Sequence, residues 1–425
     1  MQKILRIFST IVISLFVLAL FGWMSVKIAN KEKKFGFITS TVKFMYSFPD
    51  MFSQSVEEAK TFALPETFIK TPADFQAINK LESDLIVLTA YSDTGKSRTV
   101  ALMNLRNDSV IRKWNFSGFE LDHERIFHPL LLPGQSLVYA FRGKTLRKVD
   151  SASNLLWEQR RFKPHHSKNV DSHGNLWVCG YYTDYLATGY YKLDGRTVFF
   201  KDEYILKIDS ETGEILFVKS LGELLAENNL SNYLLKSGNI FDPIHSNDIE
   251  PAMETTPYYK KDDIFISAKN LSAILHYRPA TNELIEVIEG PFNGQHDVDF
   301  YDKNSIVFFN NNCYTGTSNN YKTPPIDSSM FEFAGNLYSQ IVKYNFEDKS
   351  YSFIWDSVFR DNKIYSSSEG LIDFYEPNTC FIEEQNKGVL WVIKDGEVIY
   401  KNVIKSIHKG FHNLPNWTRI IKDDE

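Results

Sequence analysis

A chain of 425 residues with 47 basic and 53 acidic side chains carries a formal charge of −6, which offers no basic stripe to a nucleic-acid backbone and excludes that class of partner. At 43% hydrophobic and 24% charged, the composition is globular rather than disordered, and 15% aromatic content favours the pleated, half-buried surfaces of an all-β fold. Cys179, Cys313 and Cys380 lie far apart with no CxxC pair, so a zinc ribbon or a disulfide-dense scaffold is excluded and at most one bridge can form.

The first element along the chain is the uncharged run 7–26, flanked by Lys3, Arg6 and Lys27. At about 1.5 Å per residue it reaches ~30 Å, the thickness of a bilayer core. It is long for a signal-peptide apolar region and no A-x-A cleavage site follows it. Residues 1–34 therefore read as an uncleaved, single-pass membrane anchor, in preference to a cleaved signal. Lys31, Lys33 and Lys34 compete with Lys3 and Arg6, so charge alone leaves the orientation open. No second run of this kind follows, which puts the rest of the chain on one side of the membrane. Residues 35–75 form a juxtamembrane segment with no assigned structure.

From 76 to 425 one pattern recurs: a polar start, an Asp-, Asn- or Gly-rich turn, and apolar strands separated by further turns. The third copy, HHSKNVDSHGNLWVCGYY followed by YILKIDSETGEILFVKS, is the plainest. The fourth runs from HSNDIEP to IEVIEG, the fifth from QHDVDF to FIWDS, and the sixth from SSSEG to VIYKN. Two weaker copies precede them, LESDLIVLTAY to SVIRKWN and RIFHPLLLPG to NLLWEQ. A four-stranded sheet per copy, packed face to face around an axis, gives a six-bladed β-propeller behind one N-terminal transmembrane helix. Insertions at 221–239 and 314–336 account for copies longer than usual.

Aligned on their first strands, four of the ten histidines share a place: His128, His166, His245 and His296. In a propeller the first strand of each blade lines the channel, so these positions converge on one mouth. His128 precedes an apolar PLLLP run and reads as structural. The others suit acid–base or nucleophilic chemistry, since imidazole is the side chain whose proton moves most readily near neutrality. Metal ligation is the weaker alternative. His408 and His412 have i, i+4 spacing, but the intervening Gly410 and nearby Pro415 argue against a helical metal pair. Asp297 and Asp299 read as a solvated strand edge. Asp242, Asp248, Glu250 and Glu254 read as a loose acidic patch without the spacing of a calcium loop.

The segments IFDPIHSNDIEP, ISAKNLSAI and NGQHDVDFYDKNSIVFFNNN, with HHSKNVDSHGNLWV and the closing GLIDFYEPNTCFIEEQNKGVLWVI, resemble the bacterial arylsulfotransferase family over about His165 to Tyr400. That family carries D-x-x-H-x-N, S-x-R-N-L and Q-H-D…F-D-N-N patterns on a six-bladed propeller. The resemblance implies transfer of a sulfuryl group from an aryl sulfate donor to a phenolic or other hydroxyl acceptor, without an adenylyl-sulfate donor and with no cofactor or metal. It implies that His296 is the transiently sulfated residue, that His245 and Asn247 match the H-x-N pair, and that His166 is the first channel histidine, with His165 as the alternative register. Two departures stand out. Lys269 occupies the place of the family's arginine and keeps its charge without the planar fork that grips two oxygens; Asn310 stands where the family more often has aspartate. On this reading His296 attacks sulfur, His166 serves as acid and base, and His245, Asn247 and Lys269 hold the sulfuryl oxygens. The orienting partner of His296 is left between Asp297 and a backbone carbonyl. The propeller is expected in a periplasmic or extracytoplasmic compartment, and the reading admits a homodimer. The competing reading is a non-catalytic envelope propeller that keeps the fold as a binding or scaffold module.

Overall fold

The computed structural model describes residues 2–29, 35–51, 68–94, 97–117, 125–141, 145–182, 189–193, 195–239, 241–313 and 337–421. The expected insertion at 314–336 lies outside the described residues. The chain divides into two compact units, 1–68 and 69–425.

The first unit holds helix Gln2–Ala29, whose stretch Phe8–Ile28 is long and apolar enough to cross a membrane. Its apolar side chains are exposed, as those of a helix solvated by lipid would be: Phe16 is 69% and Leu18 64% accessible. A second helix, Ile38–Met51, occupies the segment that carried no assignment from sequence.

The second unit is a six-bladed β-propeller. Blade 2 orders its strands Ile126–Leu132, Ser136–Phe141, Leu146–Val149 and Leu155–Gln159 from inside outwards. Blade 3 uses Phe162–Val170, Leu176–Tyr182, Tyr204–Ile208 and Ile215–Ser220; blade 4 uses Ser246–Pro251, Ile264–Ala268, Ala273–Arg278 and Glu283–Ile288. Blade 5 runs His296–Asp302, Ser305–Asn310, Gln340–Asn345 and Tyr351–Ile354. Blade 6 runs Leu371–Glu376, Thr379–Glu384, Val389–Lys394 and Glu397–Val403, with Ile78–Asn79 added at its outer edge.

Blade 1 departs from the repeat reading. Its sheet contains Ile86–Thr94, Ser97–Asn104 and Ser109–Ser117, but its innermost strand is Asn416–Ile420 from the far end of the propeller. The first strand of copy one is therefore second in its sheet. Thr89 and Thr418, 329 residues apart, share a 2.8 Å hydroxyl hydrogen bond across this seam.

Why the strands read as nearly continuous apolar runs follows from the packing. Successive side chains on a strand face opposite ways, and each blade is sandwiched between two others. In blade 3, Val178 and Leu206 join a cluster with Leu130 and Val138 of blade 2, while Trp177, Cys179 and Ile205 join Ile249 and Ile264 of blade 4. Equivalent clusters fill the remaining interfaces around the ring. At about 25 cal/mol per Å² of apolar surface, these interfaces supply most of the folding energy. All three cysteines are free and buried, so no bridge contributes.

One backbone feature sets up the channel. Near its beginning every inner strand holds residues in the left-handed region: Trp417, His128, His166, His245, Asp297, and Glu369 with Gly370, have φ of 53°, 44°, 58°, 52°, 57°, 54° and 94°. The pairing register slips at the same place, between Phe127 and Leu130, Pro164 and Lys168, Ser246 and Asp248, His296 and Val298, and Asn416 and Arg419. Bulges of this kind redirect a side chain, and a non-glycine residue in the left-handed region costs on the order of 1–3 kcal/mol. The ring accepts that cost at each blade and thereby turns side chains into the axis.

Candidate active site

The bulges bring five imidazoles together with His166 at the hub. Its ring centroid lies 5.0 Å from His165, 5.1 Å from His245, 5.4 Å from His128 and 5.8 Å from His296. The equivalence drawn from sequence needs one correction. His128, His166 and His245 occupy the left-handed position, whereas in blade 5 that position is Asp297 and His296 precedes it. His296 is thus the counterpart of His165, and still reaches the cluster because the bulge separates its direction from that of Asp297.

The hydrogen bonds fix which nitrogens are free. Asn311 donates its Nδ2 to the carbonyls of Ser366 and Glu369 at 2.8 and 2.6 Å, which leaves its Oδ1 to accept from His296 Nδ1 at 2.7 Å. His296 therefore carries its proton on Nδ1 and presents the Nε2 lone pair. The ring's side-chain partner is Asn311 rather than Asp297, and the Gly294 backbone also hydrogen-bonds to it. Asp297 is buried rather than a solvated edge, and accepts from the backbone of Ile372 in the next blade at 2.6 Å.

His245 Nδ1 donates to Asp242 Oδ2 at 2.6 Å, and His245 Nε2 meets His166 Nε2 at 3.1 Å. With the His245 proton held on Nδ1, its Nε2 accepts from His166 and leaves His166 Nδ1 as the acceptor nitrogen. Asp242, read from sequence as part of a loose patch, is an orienting carboxylate. Hydrogen bonding and the charge of His245 hold it down at about 2 despite burial. Asp248 is likewise no surface acid: it accepts from Ser167, from Asn169 at 3.0 Å and from the backbone of Val298 at 2.8 Å.

Lys269 follows the second strand of blade 4, and its backbone N–H donates to the His245 carbonyl at 3.0 Å. Its ammonium charge acts on His296. Burial, then Lys269, drives the His296 imidazole well below its usual pKa. Burial does the same to His128, His165 and His166, which favours their neutral forms. Asn247 is fully buried and donates one Nδ2 hydrogen to the Gln295 carbonyl at 2.7 Å, tying blade 4 to the approach of His296.

His128 stacks on Trp417 at 3.8 Å and 15°, and neither ring nitrogen has a hydrogen-bond partner among the described residues. Beneath the histidines Lys168 is completely buried and donates to the carbonyls of Phe127, His128 and His166 at 3.1, 3.2 and 3.3 Å; burial brings it to about 7. Away from the channel, His412 is held between Thr71 Oγ1 at 2.9 Å and the Lys387 carbonyl at 2.8 Å. Asn310 braces the loop by accepting from the backbone of Asn293 and Asn312.

Sequence reading missed Glu203, Asp242, Asn311 and Lys168. Two of these had a local signal: Asp242 opens the D-x-x-H-x-N pattern and Asn311 stands in FFNNN. Glu203 had none. It arrives at the head of the third strand of blade 3, 3.2 Å from His165, after the hairpin of Gly189–Leu193 and Arg196–Phe200.

A family model described as arylsulfotransferase (ASST) matches residues 128–402. No curated protein matches the chain. Among solved structures, a protein of unknown function from Bacteroides caccae superposes with a TM-score of 0.51 at 12% identity, covering 80% of this chain and 100% of that one. Virginiamycin B lyase from Staphylococcus aureus gives 0.41 at 8% identity, covering 79% and 90%.

Proposed function

Because the chain belongs to the arylsulfotransferase family, we propose that it moves a sulfuryl group from an aryl sulfate ester to a phenolic or other hydroxyl acceptor through a sulfohistidine at His296. What supports this most is one hydrogen bond: Asn311 accepts the Nδ1 proton of His296, so a neutral imidazole offers its Nε2 lone pair to the cluster. In the first half-reaction Nε2 attacks sulfur, the N–S bond forms and the S–O bond to the aryl group breaks. The departing phenolate takes the one proton that the His166–His245 pair carries beyond its neutral form, which leaves the pair neutral. In the second, an acceptor oxygen attacks the same sulfur, its proton returns to that pair, and the N–S bond breaks.

Charge on the sulfuryl oxygens is met by Lys269 in this scheme, with the buried Lys168 behind the cluster. Asn247 holds the backbone ahead of His296 through one of its two amide hydrogens and keeps the second for a sulfuryl oxygen. The apolar helix acts as an uncleaved inner-membrane anchor with the propeller on the periplasmic or extracytoplasmic side. The test is incubation with a chromogenic aryl sulfate and no acceptor. A burst of one equivalent of phenol should accompany a sulfuryl adduct on His296 in peptide mass spectra. No burst and no adduct with any aryl sulfate would favour a non-catalytic binding propeller.

A further inference from the structure

Beside the nucleophile, His245 of the transfer scheme and its partner Asp242 meet a buried carboxylate, Glu203, that the scheme does not use. Glu203, Asp242 and His245 place ligand-type atoms within 4.8 Å of one another. Glu203 is fully buried; its Oε2 accepts from the backbone of Ser246, while its Oε1 has no hydrogen-bond partner. Asp242 Oδ1 is likewise buried without a partner. A carboxylate oxygen left bare in a protein interior forfeits its hydration with nothing in return, a cost of roughly 1–3 kcal/mol or more.

His165 flanks this group: its Nε2 lies 3.2 Å from Glu203 Oε1, it falls outside the set whose donor atoms are all within 4.8 Å of one another, and both ring nitrogens of this 5%-exposed residue lack a hydrogen-bond partner. An ion seated at the group would give its ring a partner. The ring is not free to swing away, because it stacks on Tyr181 at 4.2 Å and 11°. The spacing also suits a shared ion. Donors bound at about 2.0–2.1 Å in a tetrahedron sit ~3.3 Å apart.

We propose that Glu203, Asp242, His245 and His165 form a binding site for one divalent transition-metal cation. Two imidazoles and two carboxylates are a borderline donor set, suited to zinc, manganese or ferrous iron, and too poor in oxygen for calcium. The ligands come from rigid places: the inner strand of blade 3, the head of its third strand, and the bulged start of blade 4. The ion would replace the proton that His245 Nδ1 now gives Asp242. His245 would then carry its proton on Nε2 and turn from acceptor to donor toward the channel.

This site does not depend on sulfuryl transfer, since a protein that never sulfates His296 would still bind the ion. The full chain, purified in detergent and dialysed against chelator, is titrated calorimetrically with Zn²⁺ and with Mn²⁺. One ion per chain should bind, and Glu203→Gln or His165→Asn should weaken it by about 10–100-fold or more. Anomalous diffraction from metal-soaked crystals of the unaltered protein is the companion measurement, which stands even if a variant misfolds. It should show the ion among these four side chains. No saturable binding, equal affinity in the variants, or an ion located elsewhere overturns the proposal.

Discussion

The two ends of the channel are built from the same six strands and have opposite chemistry. Where the strands begin, imidazoles crowd together and burial favours the neutral form of His166 and His296. Toward their far ends, a cavity of about 720 Å³ is lined by Glu250, Asp299, Asp302 and Asp373, with Arg419 at its inner edge. Between the two stand Lys168 and Arg419, the latter donating to the Lys168 carbonyl at 2.7 Å and to Asn169 at 3.1 Å. This cavity is not the histidine mouth, and its carboxylates would repel a sulfate ester. Size alone is a poor guide to chemistry here; an anionic donor needs the end whose groups are neutral or cationic.

The sharpest break in this comparison comes from the nucleophile itself. His296→Asn should abolish both phenol burst and protein labelling, while leaving the melting temperature close to the parent's. Residual labelling elsewhere in the cluster would move the nucleophile to another imidazole. Lys269→Ala should slow the burst by about 10²–10³-fold, the usual cost of losing one donor that meets developing negative charge. Lys269→Arg restores a planar fork at that place, and faster turnover of simple aryl sulfates would mark the lysine as a determinant of substrate choice.

Asn311→Ala should cost about 10–100-fold, because it frees the ring without removing it. Asn311→Asp keeps an acceptor for Nδ1 and should recover much of the rate. Its carboxylate favours the imidazolium and should move the acid limb of the burst upward, a shift that a merely structural asparagine would not produce. In the unaltered protein that limb lies below 6.5, the ordinary histidine value, since burial depresses His296. The attacking lone pair is present above the folded pKa and lost as pH falls through it, so burst rate against pH should stay flat through neutrality and fall only in acid. At the opposite mouth, Asp302→Asn should change the burst by less than about twofold, as expected six residues along the strand from His296. A large effect there would mean substrate enters from the acidic side.

Much of this arrangement was legible in the residues. Turn-punctuated apolar runs disclosed six blades, and histidines recurring at strand starts disclosed the mouth where they meet. What was hidden depended on partners far away in the chain. Blade 1 takes its inner strand from 416–420, a pairing to which no local periodicity points. Glu203 meets His165 only because the third strand of blade 3 starts beside the bulge of the first. The offset between His296 and the other histidines was invisible because a left-handed residue leaves no fixed letter behind. Histidine, aspartate, tryptophan and glycine all fill that place. His165 was weighed only as a substitute for His166, whereas the bulge lets both rings face the cluster at once.

The seam in blade 1 bears on the order in which this protein comes into being. A ribosome delivers Ile86–Thr94 early and Asn416–Ile420 after five further blades, and chains fold from the N-terminal end as they are made. Until that late strand arrives, the oldest sheet lacks its axial edge. Trp417 is then absent from the face of His128, and Arg419 from the carbonyl of Lys168. The floor under the histidines is consequently the last part of the propeller to be laid. An unfinished chain would hold an open crescent of blades without the floor of its histidine cluster, so on the proposed scheme transfer starts only when the ring is complete.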